Sequence, residues 1–445
     1  MPKPITNAHI HVFDARCAPD RFFLVLPVGL VRLIARPLKS FLMSEAGTAL
    51  INRLAKWTST LHDKGKISRF LAFTKIGAGR SQDEVYQMAL KVGKQYDASI
   101  RLIGLTLNMD HMDSEPSNPL SYKNYLTQLE EIRNIKKHSP KHFFPFLCID
   151  PRHKTGADLR DWVRDQLTDG FEHKGKLYPY FYGLKIYPAL GFFPFDPALE
   201  EVYAYAEEYG IPIMTHCTRG GSQYIGKYIQ QLIPKEPAVM QLSTPEAITA
   251  FVEITKRIDD YYGKGWIKNN SFGNNDRACD LFTHPQNYIP VLEKFPKLKI
   301  CIAHMGGEGE FYKDDKLARW WEWQEDKARG FGDLIEIREV DKIPWVDRLE
   351  EMMKTYPSLF TDISYTVSYL GKKDKVILNR LAEFADLKDK SGQSLGHRIL
   401  FGTDFFMTEQ EKKEGDLYGL MVQSKELKDW VDGFCRENVE GYVGI

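Results

Sequence analysis

The first apolar run of the chain is Ile5-Thr6-Asn7-Ala8-His9-Ile10-His11-Val12-Phe13. A short, mostly apolar run of this kind is typical of a buried β-strand. Because alternate side chains of a strand point to one face, His9 and His11 project together, about 7 Å apart along the strand. Two imidazoles on one rigid face are half of a transition-metal site. An isolated His-x-His pair is more often two ordinary polar residues, so the prediction depends on matching ligands elsewhere.

Size and composition indicate an ordinary globular protein. The chain has 445 residues, of which 43% are hydrophobic and 27% charged, and its formal net charge is +0. This balance lacks the basic excess of a nucleic-acid-binding protein. The longest apolar run, residues 22–35, contains Pro27 and Arg32 and is too short to span a membrane. We therefore predict one domain over residues 1–445 that acts on a small-molecule substrate, with no nucleic acid and no membrane span.

Cysteine usage and the N-terminus bear on the compartment. The six cysteines are scattered and contain no Cys-x-x-Cys pair, which is typical of free thiols in a reducing environment. Met1-Pro2-Lys3-Pro4 leads straight into the first strand, so we expect no signal peptide. A cytoplasmic location is the expectation.

Seven further runs have strand character, and helical segments separate them. The strands are predicted at residues 100–107, 143–149, 181–187, 211–216, 298–304, 359–364 and 398–404. The main helices are predicted at 122–137, 156–169, 197–209, 245–262 and 424–434. Eight strands alternating with helices indicate an α/β protein with a (β/α)8 TIM barrel.

The residues in excess of a simple barrel form three predicted insertions. They cover about 20–99, 217–283 and 306–345, after strands one, five and six, on the face where barrel enzymes place their sites. The first insertion includes an amphipathic helix over residues 46–57. A lid, an oligomer contact in a homodimer and a peripheral segment that buries its own apolar face all fit this pattern.

Matching metal-binding side chains occur at the ends of other predicted strands. His216 ends strand five, His304 ends strand six and Asp404 ends strand eight. In a barrel all strands end at one rim, so these groups converge with His9 and His11. Imidazoles together with one carboxylate suit a divalent metal, zinc first, with manganese and iron as alternatives.

The same motifs carry a family resemblance. They are Asn7-Ala8-His9-Ile10-His11, Gly183-Leu184-Lys185-Ile186-Tyr187-Pro188, Thr215-His216, Ile302-Ala303-His304-Met305-Gly306-Gly307 and Leu400-Phe401-Gly402-Thr403-Asp404. Together they resemble the amidohydrolase superfamily, and most closely its amidohydrolase-related (amidohydrolase 2) branch of metal-dependent hydrolases and decarboxylases. The resemblance covers the barrel strands and leaves out the three insertions.

The resemblance implies roles for the strand-end residues. His9, His11, His216 and Asp404 would correspond to metal ligands of the family. His304 would correspond to the catalytic histidine beside a single metal, which moves a proton or polarises the substrate. Asp404 could also accept the proton of the activated water. A further ligand, or a residue that only positions a ligand, is the alternative role for His304.

Substrate-binding residues are predicted close to these groups. Lys185 shares a strand face with Tyr187, and we favour a lysine ammonium that binds an acidic group of the substrate. A carboxylated lysine bridging two metals, as in some amidohydrolases, and an ion pair in the barrel mouth are alternatives. Arg219 is either a carboxylate clamp or a loop charge. Less specific candidates are Asp362, Ser364 and Tyr365 as hydrogen-bonding supports, and Trp320, Trp321 and Trp323 as pocket walls or packing residues.

Three functions are compatible with this reading. The first is a metal-dependent hydrolase that uses metal-activated water on a C–O or C–N bond of a small acidic molecule. The second is a metal-dependent non-oxidative decarboxylase or hydratase on the same scaffold. The third is a non-catalytic metal-binding barrel, which a proton-moving His304 beside a full ligand set argues against.

Overall fold

The computed structural model describes residues 3–19, 76, 81–112, 123–218, 224, 242–263, 272–311, 344–366, 374–410 and 413–445. Their strands are β1 (Thr6–His11), β2 (Arg101–Leu105), β3 (Phe146–Ile149), β4 (Gly170–His173), β5 (Lys176–Pro179), β6 (Gly183–Ile186), β7 (Ile213–Thr215), β8 (Ile300–Ile302), β9 (Leu359–Asp362) and β10 (Ile399–Leu400). Eight of them form one parallel sheet in the order β1-β2-β3-β6-β7-β8-β9-β10. The other two, β4 and β5, pair as an antiparallel hairpin.

Strand β1 meets residues 399–405, which comprise β10 and the residues that follow it. We call this line of contact the seam. Ala8 N donates to Phe401 O over 2.7 Å, and Asp404 N donates to His9 O over 2.9 Å. These bonds bring the two edges of the sheet together in a nearly closed barrel. The predicted (β/α)8 TIM-barrel fold is confirmed.

Helices lie between the strands of the sheet. They are α1 (Gln82–Gly93), α2 (Tyr125–His138), α3 (Gly156–Thr168), α4 (Glu200–Tyr209), α5 (Pro245–Gly263), α6 (Phe272–Thr283), α7 (Ile289–Lys294), α8 (Trp345–Thr355), α9 (Asp374–Asp386), α10 (Glu414–Val422) and α11 (Asn438–Val443). The Asp196 side chain caps a short turn, Pro197–Leu199, that leads into α4, and Gly210 ends α4 in a left-handed conformation with φ 67°. Both signals were readable in the sequence.

The core has two apolar layers. The outer layer packs the helices against the strands, and the inner layer fills the barrel. Tyr442 of α11 enters the inner layer from the end where the strands begin, with its ring centroid 5.1 Å from that of Phe360 and 6.3 Å from that of Phe146. The packed floor leaves the opposite rim as the place for polar side chains.

The helix predicted over 424–434 is displaced along the chain. Residues 425–430 form a bend and turns, and the helix begins only at residue 431, passes through a π-helical turn, Gly433–Glu437, and continues into α11. The spacing of the buried Leu427 and Phe434 imitates a helix. Trp430 N instead bonds Leu427 O over 2.8 Å, as in a tight turn, and the Trp430 ring packs against Gly396.

The hairpin of β4 and β5 was not predicted. Its turn residues Lys174 and Gly175 have φ values of 54° and 75°, the positive angles that a two-residue hairpin turn requires. Gly175 was the sequence feature that could have indicated this turn.

Several predictions fall outside the described residues. They include the helix over 46–57, most of the first and third insertions, part of the second, Arg219 and the tryptophans Trp320, Trp321 and Trp323. In the part of the chain that is described, none of the helices has the length and apolarity needed to cross a membrane.

Candidate metal centre

Side chains from four strand ends meet in the barrel mouth. His9 and His11 lie on β1, Asp362 ends β9, and His304 and Asp404 follow β8 and β10. All five are buried, none being more than 6% exposed. This convergence is the one expected for strands that end at a common rim.

Three of these residues form a group with the composition of a metal site. The potential ligand atoms of His9, His11 and Asp404 all lie within 4.8 Å of one another. Asp404 Oδ1 is 3.1 Å from His11 Nε2 and 3.4 Å from His9 Nε2. Asp404 Oδ1 and His9 Nε2 are buried, and neither makes a hydrogen bond of acceptable geometry in the described chain. Because buried polar atoms are normally paired, two such atoms facing each other fit a bound cation.

The second ring nitrogen of each strand-one histidine is held by an acceptor. His9 Nδ1 lies 2.8 Å from Asp362 Oδ2, and His11 Nδ1 lies 3.2 Å from the carbonyl oxygen of Leu105. Both acceptors require the proton on Nδ1, which leaves the Nε2 lone pair free to bind a metal. A carboxylate behind a histidine is the usual support of a metal ligand.

Burial keeps His9 in the protonation state that metal binding needs. Loss of solvation lowers the pKa of His9 to about 3, against the opposing effect of Asp362. Burial alone would raise the pKa of Asp362, but the adjacent His9 imidazole holds it well below the usual aspartate range. At neutral pH the pair is therefore a neutral imidazole bonded to a carboxylate.

His304 and His216 form a second unit beside the first. His304 Nδ1 lies 2.9 Å from the carbonyl oxygen of Ser364, so it carries the proton and Nε2 accepts. His304 Nε2 is 3.1 Å from His216 Nδ1, and Thr218 Oγ1 is 3.1 Å from His216 Nε2. A line of hydrogen bonds thus leads from Thr218 through both imidazoles to Ser364. Burial lowers the pKa of His304, which favours its neutral form.

The structure groups the predicted ligands differently from the prediction. A second set of close ligand atoms joins His9, His304 and Asp362. His216, a predicted ligand, belongs to neither group in the described chain, and its ring lies against His304 and Tyr187.

Lys185 is fully buried on β6. Its Nζ makes no hydrogen bond in the described chain and lies 5.6 Å from the Tyr187 ring centroid. Burial lowers the pKa of Lys185 to about 8, and the carboxylates of Asp362 and Asp404 oppose this effect. Its positive charge in turn contributes to the low pKa of His9.

Two of the residues that carry the site have unusual backbone conformations. His304 and Asp404 have φ values of 67° and 58°, in the left-handed region that non-glycine residues rarely adopt. Strain of this kind costs about 1–3 kcal/mol per residue and occurs mainly where a side chain must be aimed precisely. Here it turns both side chains into the mouth directly after their strands.

Asp362 and Ser364 are more central than the sequence indicated. Ser364 Oγ lies 3.1 Å from His9 Nδ1 and 2.8 Å from His304 Nδ1, and it also donates to Asp362. It therefore links the two histidine units. Tyr365 lies at the opening, 37% exposed, with its ring centroid 6.2 Å from that of His304.

The family comparison agrees with the motifs. The model of the amidohydrolase family matches residues 131–330, and the resemblance predicted from the strand ends is confirmed by this match. No curated protein matches the chain at a significant level.

Solved structures give distant matches. A 5-carboxyvanillate decarboxylase from Novosphingobium aromaticivorans, complexed with manganese and a nitrobenzoic acid, is 12% identical, with 100% of this chain and 96% of that chain covered and a TM-score of 0.44. A 2,6-dihydroxybenzoate decarboxylase from Rhizobium is 12% identical, with 100% and 99% covered and a TM-score of 0.42. An uncharacterised TIM-barrel protein from Bordetella bronchiseptica is 12% identical, with 99% and 98% covered and a TM-score of 0.41. What these proteins bind and convert is a property of those proteins.

Proposed function

We propose that this protein is a metal-dependent enzyme of the amidohydrolase type that hydrolyses a C–O or C–N bond of a small acidic molecule. The observation that carries the proposal is the pair of facing, buried atoms His9 Nε2 and Asp404 Oδ1, which have no hydrogen-bond partner in the described chain. His11 Nε2 completes the group. Imidazole and carboxylate ligands favour zinc, with manganese and iron as alternatives.

A bound divalent ion would supply Lewis acidity and lower the pKa of a coordinated water towards ~7. His9, His11 and Asp404 would hold the ion, with His216 proposed as the fourth ligand. His216 belongs to neither group of close ligand atoms in the described chain, so ligation by His216 requires a movement of its ring.

The residues around the ligands have separate tasks. Asp362 holds the proton of His9 on Nδ1, so that Nε2 stays available. His304, with Nδ1–H bound to Ser364 O, offers Nε2 as the atom that takes up a proton and passes it to the leaving group. Asp404 is a second group able to accept a proton from the attacking water.

The environment of Lys185 is consistent with the proposal of an acidic substrate. A buried lysine without a hydrogen bond is costly unless an anion compensates it, and a substrate carboxylate would do so. Tyr187 lies between Lys185 and His216 and would wall the same space. Arg219, three residues after His216, remains a predicted second clamp for an acidic group.

Decarboxylation is the second candidate, and the position of Lys185 favours it. Its fully buried ammonium affects the pKa values of His9 and His304 and is itself affected by Asp362 and Asp404, so it lies within electrostatic reach of the proposed ligands. A carboxylate bound there would lie at the reacting centre, as the group lost in a decarboxylation must.

Two measurements test the proposal. Metal analysis of the purified protein should give about one divalent ion per chain, and His9→Ala together with Asp404→Ala should abolish it. A panel of lactones, N-acyl amino acids and hydroxylated benzoic acids, followed by mass spectrometry, then separates gain of water from loss of carbon dioxide. A wild-type protein that neither contains nor binds zinc, manganese or iron would overturn the proposal.

A further inference from the structure

The two sides of the proposed metal site are tied together by a buried polar unit behind them. Asn7 precedes His9 by two residues on β1, and Thr403 directly precedes Asp404. Asn7 Oδ1 accepts from the backbone N–H groups of His9 and Thr403, each over 3.2 Å. One amide oxygen therefore binds the backbone on both sides of the seam, next to a proposed ligand on each side.

The donors of Asn7 and the hydroxyl of Thr403 are also fully used. Asn7 Nδ2 shares its two protons among three acceptors, Thr403 Oγ1 at 2.8 Å, Tyr418 OH at 3.0 Å and Glu414 Oε1 at 3.3 Å. Thr403 Oγ1 donates to Glu414 Oε1 over 2.8 Å and accepts from Phe405 N over 3.3 Å. A buried network in which Asn7 and Thr403 use all their hydrogen-bonding groups restricts both side chains to few arrangements.

Glu414 connects this network to an element outside the barrel. It is the first residue of α10 and only 1% exposed, so its carboxylate points away from solvent into the seam. Tyr418, one turn later on α10, stacks on Tyr96 with a centroid distance of 5.2 Å. Tyr96 OH in turn donates to the carbonyl oxygen of Gly415. The outer helix is thus fixed against the strands that carry His9 and Asp404.

We propose that Asn7, Thr403 and Glu414 form a positioning unit that sets the spacing of His9 Nε2 and Asp404 Oδ1. The inference rests on the proposed metal site. Asp404 needs such support because its left-handed backbone, φ 58°, follows Thr403 immediately. The three residues touch neither a metal nor a substrate, and they act through the two ligands.

The test compares variants of one residue in the full chain. Thr403→Val keeps the shape and removes the hydroxyl that bridges Asn7 and Glu414, whereas Thr403→Ser restores the hydroxyl. Titration with Co²⁺, followed by its visible absorption, gives the affinity and reports the ligand geometry. We expect Thr403→Val to weaken Co²⁺ binding by about 10–100-fold and to shift the absorption bands. Thr403→Ser should bind like the wild type.

A matched control separates positioning from general destabilisation. Asn438 Nδ2 donates to the carbonyl oxygens of Gly396 and Ile399, each over 2.7 Å, at the opposite end of β10. Asn438→Ala should lower the stability of the same strand and leave Co²⁺ affinity and spectrum unchanged. If Thr403→Val does not fold, Tyr418→Phe removes a single hydrogen bond to Asn7 and should weaken binding about two- to tenfold.

The outcomes are distinct. Equal Co²⁺ affinity and spectrum for Thr403→Val and wild type would overturn the positioning unit while the metal site stands. Equal weakening by Asn438→Ala would assign the effect to strand stability and would also overturn it. Failure of the wild type to bind Co²⁺ would instead overturn the proposed function, and the inference with it.

Discussion

Replacing Lys185 by methionine should make the metal-free protein more stable. The Lys185 ammonium is fully buried and has no hydrogen-bond partner in the described chain. Methionine has a similar length, fills the same apolar space and carries no charge. The substitution therefore removes a desolvated charge and leaves no described acceptor unpaired.

The size of the effect follows from the pKa of the lysine. Burial lowers it from 10.5 to about 8, and this value already includes the attraction of Asp362 and Asp404. Since one pKa unit corresponds to about 1.4 kcal/mol, the buried lysine costs about 3 kcal/mol at pH 7. Between pH 8 and 10.5 the unfolded chain binds more protons than the native one, so wild-type stability rises with pH across this window. The advantage of Lys185→Met should accordingly disappear by about pH 10.5.

Urea unfolding of the chelator-treated proteins at pH 7 and pH 10 measures both effects. Lys354→Met is the matched control, because Lys354 is 37% exposed in its side chain and pairs with Glu350 on the surface of α8. That variant should change stability by less than about 0.5 kcal/mol at either pH. A Lys185→Met protein that is less stable than wild type at pH 7 would refute the reasoning. An advantage that is the same at pH 7 and pH 10 would refute it too.

Three further predictions concern the site and the barrel wall. Asp362→Asn removes the charge that supports His9 and should weaken Zn²⁺ binding by about 10–100-fold in a chelator competition; an unchanged constant would contradict the role of Asp362. His304→Asn should leave Zn²⁺ affinity in place and lower kcat by about 10²–10⁴-fold on whatever substrate is found; full activity would exclude proton transfer by His304. Gly104→Ala would place a methyl group 2.3 Å from the Phe143 ring and should cost about 1–3 kcal/mol in urea unfolding; wild-type stability would show that the ring can move freely.

The barrel could be predicted because its strands are buried on both faces. Such strands are continuous apolar runs, and turn residues separate them. The strand lengths could not be predicted. The run over 398–404 contains only two residues of strand, Ile399–Leu400. The residues after it leave the regular extended ladder, and Asp404 adopts a left-handed conformation that aims its side chain into the mouth. The pattern of apolar residues indicates which residues are buried, but it does not indicate where the backbone leaves the extended conformation.

The convergence of the candidate residues could be predicted from the sequence, but the geometry of their contacts could not. His9, His11 and Asp404 are recognisable because metal-binding side chains at strand ends converge in any barrel. The bond between His216 and His304 depends on ring rotations, which no spacing in the sequence encodes. The same holds for Asn7 and Glu414, whose contact requires the register of the seam. The local sequence pattern predicts where strands end, whereas the register between distant strands is determined by their packing.

The seam has a consequence for how the protein resists unfolding. It joins segments far apart in the chain, Asn7 and Thr403 being 396 residues apart, through a small number of backbone hydrogen bonds. An ion held by His9 and His11 on one side and Asp404 on the other would cross-link the two sides of the seam. Like a disulfide between the same strands, the bound ion would close a very long loop of the chain. Closing that loop reduces the conformational entropy of the unfolded chain. Metal loading should therefore protect the barrel against opening along its length, well beyond the few residues that touch the ion.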